Sequence, residues 1–368
     1  MKIGLVTYDS PDLLTGGYLY NRYLVDFLGK ANHRTEVISL PGGSYLSNLC
    51  HNFSSGIYRK LAAGYDVLIQ DALAHPSLFY LNNRLHRESD TTILALVHCL
   101  RSVMCRRSPF RSIYNRNERR YFERVDGVIC TSSFTGSMIE NHLKPGLPSV
   151  VARPGGDRFA DLPGHLEIQK RAGRSHEFRI LFLGNLLPGK RLHDLCTAVA
   201  SLPDTEIRLS IAGSMTMDPG YCAAVQKQID RSGLRPRVDL HGSLQVERLQ
   251  EELQQAHLLA VPSDSEAFGI AYLEGFAFGL PAIGGTRGGA SEIITHGENG
   301  YLVKPGDVAS LSRYLHKLHR DREMLSRMSL AARRTYESYP SWSDSMGKIH
   351  SFINEISLKE GTGPCGRR

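Results

Sequence analysis

The chain has 368 residues, more than one ordinary core holds, so at roughly 150 residues per domain it divides into two. Its 41% hydrophobic and 22% charged residues exclude disorder, collagen-like repeats and a coiled coil. A formal net charge of +7 favours anionic partners, whether phosphorylated ligands, anionic lipid or nucleic acid, without choosing among them.

Six short apolar runs mark the amino-terminal half: Ile3 to Tyr8, Glu36 to Leu40, Asp66 to Ile69, Thr91 to His98, Gly127 to Thr131 and Ser149 to Ala152. Helical patterns separate them, and that alternation predicts a parallel sheet covered by helices. From Arg153 to Glu177 the residues turn polar and irregular, with Pro154, Gly155, Gly156, Pro163 and Gly164, which predicts an interdomain linker. A second α/β series follows, with apolar runs at Phe178 to Leu183, Ile207 to Ala212, Val238 to His241, Leu258 to Val261, Pro281 to Ile283 and Tyr301 to Val303. Residues from Val308 to about Leu358 read as helix, broken where Pro340 disfavours helix at Tyr339. The predicted division is therefore a first domain at 1–160, a linker at 161–177 and a second domain at 178–338. A terminal helix at 339–358, with the first domain as its packing partner, and a flexible tail at 359–368 complete it. Two parallel α/β domains in tandem present their strand carboxyl ends to a shared cleft, where open sheets of this kind bind ligands.

No apolar run approaches the ~20 residues that span a bilayer, and Met1 leads almost directly into the first strand with no cleavable signal. The seven cysteines, Cys50, Cys99, Cys105, Cys130, Cys196, Cys222 and Cys365, lack metal-ligand spacing and read as reduced thiols. Both observations predict a cytoplasmic protein whose membrane contact is at most peripheral.

After the run ending at Val261 come Pro262-Ser-Asp-Ser-Glu266-Ala-Phe-Gly269 and then a helical stretch, Ile270 to Phe278, stopped by Gly279-Leu-Pro281. The amides of Phe268, Gly269 and Ile270 would open that helix, pointing free donors and a positive dipole end at an anion such as a diphosphate. At ~1.5 Å rise per residue, Glu274 lies roughly 7 Å along the helix, so Glu266 and Glu274 would touch different parts of one ligand. Spacing alone would far sooner make Glu266 a loop carboxylate near a helix start and Glu274 a solvated helical residue.

Gly184-Asn-Leu-Leu-Pro-Gly189-Lys190 has the glycine and lysine spacing of a P-loop, but Arg191 stands where that motif needs a magnesium-binding Ser or Thr. A P-loop NTPase is disfavoured on that ground, and Lys190 remains as a cation for phosphate. In the first half, Thr15-Gly16-Gly17 follows the first strand and reads equally as turn chemistry or as an opening for phosphate. His98 closes the fourth apolar run, at a strand's carboxyl end. From His98 through Arg124 there are eight arginines against Glu118 and Glu123, and Arg116, Arg119, Arg120 and Arg124 share one helical face. That stripe reads as a solvated face, as an attachment to anionic lipid at the inner face of a membrane, or as recognition of a phosphorylated acceptor. No RNA- or DNA-binding module is present, so nucleic acid is not an expected partner.

Taken together, Pro262-Ser263, Glu266-Ala-Phe268-Gly269, Glu274 and Gly279-Leu-Pro281 resemble the signature of the family 4 glycosyltransferases. The resemblance continues through Gly288-Gly-Ala-Ser-Glu292, Gly300-Tyr-Leu-Val303, Pro305-Gly-Asp307, Ile211-Ala-Gly213 and Val238-Asp-Leu-His-Gly242, so it covers essentially the whole second domain. It implies the GT-B fold, an α/β architecture of two Rossmann-like parallel-sheet domains facing a cleft, with carboxyl-terminal helices. It also implies retaining transfer of a hexose-type sugar from a nucleotide-diphosphate donor to a hydroxyl acceptor, which could be a lipid, a glycan or a small metabolite. Glu266 would bond the sugar, Glu274 the ribose, and the backbone at Phe268, Gly269 and Ile270 the sugar and phosphate. Gly16 and Gly17 would approach the donor, and His98 would contact its sugar near the reaction centre. Lys190 matches the lysine of the family's Gly-Arg-Leu, three residues, Lys pattern, while Asn185 stands in place of the arginine, leaving Arg191, Arg287 or another basic residue to compensate. Gly155 and Asp157 match the family's exit from the first domain only loosely.

Catalysis is thus assigned to Glu266, His98 and Lys190. No cofactor is expected, a UDP-sugar being the expected donor substrate, and with no D-x-D motif no metal site is expected. Two other readings stay open: a nucleotide-sugar epimerase of the same fold, and a basic nucleotide- or membrane-binding protein with a decayed site.

Overall fold

The structure is a computed structural model and describes residues 1–8, 16–106, 108–142, 144–173, 177–203 and 206–361. Thr15 and residues 362–368 of the tail predicted at 359–368, Cys365 among them, lie outside the described residues, while 359–361 continue the last helix instead of forming a flexible tail. The chain forms two units: one takes in the first strand, Gly17–Pro154 and the chain from Ser341 onward, the other Gly155–Pro340.

The first unit is built on β1 (Lys2–Tyr8), β2 (Arg34–Leu40), β3 (Val67–Asp71), β4 (Thr92–Val97), β5 (Gly127–Cys130) and β6 (Ser149–Val151). These pair in parallel in the order β2-β1-β3-β4-β5-β6. Every residue of β4 and β5 is buried, as expected of central strands covered by helices on both faces. Leu68, Leu78, Ile93, Tyr121 and Phe122 form part of this core.

The second unit carries β7 (Phe178–Leu183), β8 (Ile207–Ala212), β9 (Val238–Gly242), β10 (Leu258–Val261), β11 (Ala282–Gly285) and β12 (Gly300–Val303). They are also parallel, in the order β12-β11-β10-β7-β8-β9. Its core includes Phe178, Phe182, Leu259, Phe276 and Phe278.

Chain direction reverses across a sheet at one place, and there the loops leaving two neighbouring strands diverge and open a crevice. In the first unit that place lies between β1 and β3, and in the second between β7 and β10. The second sheet has the Rossmann strand order, whereas the first has the flavodoxin-like variant of the same doubly wound plan.

The predicted linker needs correction, because His165–Ala172 is a helix. Glu167 accepts the Gly164 amide at 2.8 Å, and Ile168 is buried. Arg171 donates to the carbonyls of Phe278 and Gly279 at 2.6 and 3.2 Å, holding the helix on the second unit. The carboxyl-terminal helical stretch comprises Val308–Arg320, Arg322–Glu337 and Trp342–Gly361. Trp342 of the last helix stacks on Tyr23 of the first unit, ring centroids 4.1 Å apart.

Candidate active site

At the reversal point of the second sheet, two loops carry the predicted donor residues. One leaves β7 and turns through a short helix, Pro188–Lys190; the other leaves β10 and runs to a helix at Ile270–Ala277. The Asp264 amide donates to the Gly189 carbonyl at 2.8 Å and ties the loops together. Across this tie Lys190 Nζ lies 2.6 Å from Glu266 Oε1, and the Ser263 hydroxyl donates to the same oxygen at 2.5 Å. Glu266 is buried while Lys190 keeps about a third of its side chain exposed, so the pair is fixed by its acid and open at its base. A third loop, after β11, clamps the backbone: the Glu266 amide donates to Arg287 at 3.3 Å, and the Gly289 amide donates to Glu266 at 2.7 Å. Gly288 is required there, because its φ is +86° and a Cβ would stand 2.0 Å from the Glu266 carbonyl oxygen.

Gly269, with φ +100°, precedes the helix, and a Cβ at that position would stand 2.5 Å from the Tyr272 ring. Among the described residues no side chain caps the helix start. Its first-turn amides are therefore suited to an anionic ligand. Tyr272 anchors the turn by donating to the Val261 carbonyl at 2.6 Å. Five residues in, Glu274 is buried and paired with Arg158, which excludes the solvated reading. Burial raises its carboxyl above the ordinary range, and the Arg158 guanidinium opposes that rise. Arg158 is itself positioned by Phe159, which meets Phe278 edge-on at 5.2 Å.

The cations expected to compensate for Asn185 divide. Asn185 accepts the Ser214 amide at 3.0 Å and braces its loop. Arg191 is not a free cation: it takes the left-handed conformation with φ 55°, and its guanidinium is held by Asp194 at 2.5 Å and Asp264 at 3.0 Å. Arg287 is exposed and, among the described residues, makes no ion pair, while its carbonyl bonds the Glu266 amide.

Gly16 and Gly17 are the opening residues of a helix, Gly16–Lys30. His98 follows β4 and is gripped by that helix. A Cβ on Gly17 would stand 3.4 Å from the imidazole, Tyr20 meets it edge-on at 5.3 Å, and Asn21 Oδ1 lies 3.0 Å from Nε2. Burial lowers the His98 pKa, with Asp71 at the end of β3 pulling the other way. A neutral ring that donates Nε2–H to Asn21 follows. Gly155 is buried, whereas Asp157 is exposed. Arg116, Arg119, Arg120 and Arg124 are all exposed, the first three on the helix Arg111–Phe122 and Arg124 just beyond it. The sequence reading missed Ser263, Arg158, Asn21 and Asp71, although Ser263 stood in the quoted Pro-Ser pair and Arg158 next to Asp157.

Two doubly wound parallel sheets, the second in Rossmann order, are the GT-B fold. Within the second unit, residues 166–335 match the family model described as glycosyl transferases group 1. Over 178 residues the chain is 30% identical to the N-acetyl-alpha-D-glucosaminyl L-malate synthase of Bacillus anthracis, covering 48% of this chain and 45% of that enzyme. The chain spans about half the length of the curated relatives it matches. Among solved structures, it superposes on a sucrose-phosphate synthase from Thermosynechococcus elongatus with a TM-score of 0.82 at 18% identity, covering 97% and 99% of the two chains. HepE of Anabaena, in complex with UDP and glucose, superposes with a TM-score of 0.75 at 19% identity, covering 96% and 99%. Among the described residues no helix is long and apolar enough to cross a membrane.

Proposed function

We propose that the protein is a retaining, family 4 type glycosyltransferase that moves a hexose-type sugar from a nucleotide-diphosphate donor, a UDP-sugar, to a hydroxyl acceptor. The observation that carries this reading is the Lys190–Glu266–Ser263 cluster beside an uncapped helix start, at the reversal point of the second sheet. The UDP and glucose held by HepE support the choice of donor. Cys50, Cys99, Cys105, Cys130, Cys196 and Cys222 are free thiols, which supports a reducing cytoplasmic setting.

In the proposed reaction the bond between the anomeric carbon and the phosphate oxygen breaks, and the acceptor oxygen bonds the same face of the sugar. The departing phosphate oxygen takes the acceptor hydroxyl's proton, so no carboxylate nucleophile is needed. Lys190 and the helix start offset the charge that grows on the diphosphate, in a site already oriented before reaction. Ser263 and Lys190 hold the Glu266 carboxylate to accept hydrogen bonds from the sugar hydroxyls, and Glu274 accepts from the ribose.

The test is transfer by the purified protein from a panel of nucleotide sugars, with the product's anomeric configuration read by NMR. An inverted product, or epimerised free donor with no glycoside, would overturn the reading. Glu266→Ala is expected to lower kcat by at least about 100-fold while leaving nucleotide affinity within about threefold; Glu274→Ala should chiefly weaken the nucleotide. Lys190→Ala should weaken nucleoside diphosphate binding and slow transfer together. With Lys190 as the leaving-group cation, EDTA should leave the rate within about twofold, and a collapse of activity would assign that charge to a metal instead.

A further inference from the structure

Exposed large apolar side chains are concentrated on one region of the first unit. Leu46, Phe53, Tyr80, Met104, Phe110 and Ile113 are each about half exposed or more. They belong to elements that are packed on one another. Tyr45 bonds His75 at 3.1 Å, Asn117 donates to Tyr45 at 3.2 Å, and the rings of Tyr45 and Tyr114 lie 4.7 Å apart. Phe53 and Tyr80 meet with their centroids 5.9 Å apart. A single exposed apolar residue needs no explanation, but several on elements packed together do.

The charge on the same segments is one-sided. Residues 41–65, 72–87 and 91–117 contain no aspartate or glutamate. Of the acids that border these segments, Glu88 is paired with Arg84 and Glu118 is buried and bonded to the Ser102 amide, while Asp66, Asp90 and Glu123 are exposed. Arg106, Arg111, Arg116 and Arg120 are exposed and, among the described residues, make no ion pair. On the helix Arg111–Phe122, Ile113, Arg116 and Arg120 follow at three- and four-residue spacing and line one outward stripe, opposite the buried Tyr114, Asn117, Glu118 and Tyr121.

We propose that this surface, formed by the helices Tyr45–Cys50, His75–Glu88 and Arg111–Phe122, docks the protein on a bilayer that contains anionic lipid. The arginines meet the headgroup charge, while Phe110, Ile113, Phe53 and Leu46 enter the boundary between headgroups and acyl chains. A soluble polyanion would satisfy the arginines but leave the apolar set unexplained, which is why a bilayer fits better than nucleic acid or a phosphorylated protein. The inference does not depend on sugar transfer and is tested without a donor.

Full-length protein is sedimented with vesicles of phosphatidylcholine alone and of phosphatidylcholine with a third part phosphatidylglycerol, across a salt series. Expected is binding to the anionic vesicles only, weakening by at least about tenfold as salt rises from low to physiological and beyond. Arg116→Gln with Arg120→Gln should weaken binding by about tenfold and flatten its salt dependence. Phe110→Ser with Ile113→Ser should weaken it comparably but leave the salt dependence unchanged. The control pair Arg231→Gln and Arg235→Gln, exposed on the second unit, should bind as the parent does. All four positions altered on the first unit are exposed, so melting temperatures should stay near the parent's. The proposal is overturned if the parent binds both vesicles alike, or if the control pair weakens binding as much. It is equally overturned if RNA or polyphosphate displaces the vesicles while the apolar pair has no effect.

Discussion

Glu274 shows what a single position in the sequence reveals and what it conceals. Its place in the helix after Gly269 was legible, because local spacing sets it. Its partner Arg158 was not, because the two are 116 positions apart and only the fold joins them. The same holds for Lys190 and Glu266, each readable from its own loop and paired only by the crossing of two loops. Removing one member of a buried pair leaves the other charge in low dielectric, so Arg158→Ala should cost about 3 kcal/mol of stability in the second unit. A second change, Glu274→Gln, should restore most of it, while nucleotide affinity recovers in neither. The pH sign follows from the raised Glu274 pKa. The folded state keeps a proton that the unfolded chain has released, so stability falls as pH rises from the ordinary carboxyl range through the raised value. Without Arg158 that rise grows, so the deficit should be smaller at pH 5 than at pH 8 in denaturant titrations. An equal deficit at both would point to lost packing on Phe159 instead of an uncompensated charge.

At the scale of elements, the twelve strands among the described residues were legible from apolar runs, most plainly the central ones, which need continuous hydrophobic sequence. The helix His165–Ala172 was not, because it is short and its anchors, Ile168 and Arg171, find their partners in Gly279 and Phe278 far along the chain. Side chains on the helix His75–Glu88 were equally opaque. His75 is buried, with Nδ1 donating to the Ala72 carbonyl at 2.9 Å, so its Nε2 accepts from the Tyr45 hydroxyl. Burial lowers its pKa to about 4. Between the ordinary histidine value and that one, the unfolded chain binds a proton that the folded unit refuses. Stability is therefore complete above the ordinary value and lost as pH falls through the window, by about 3 kcal/mol at its acid end. His75→Gln should flatten that slope in unfolding followed by a probe in the first unit. An unchanged slope would assign the acid sensitivity to another group.

On the scale of the whole molecule, the sequence showed two α/β series but not where each sheet reverses, because strand order depends on pairing between distant segments. The order turns a set of loops into a site: Lys190 and Glu266 leave the two strands that flank the second reversal point, and Asp71 ends a strand that flanks the first. Each unit thus carries its own constellation, the second the one proposed to hold a nucleotide sugar and the first around His98. A ligand that binds only one unit should stabilise only that unit, by about 2.7 kcal/mol at a free concentration of 100 times Kd. Hydrogen exchange with UDP alone is therefore expected to slow in 184–191 and 262–274 and to stay unchanged in 92–104. Intact donor sugar should extend protection to residues around His98 if the imidazole meets the transferred sugar. Protection of 92–104 by UDP alone, equal to that in the second unit, would instead place the nucleotide on both units and dissolve the division of labour between Glu274 and His98.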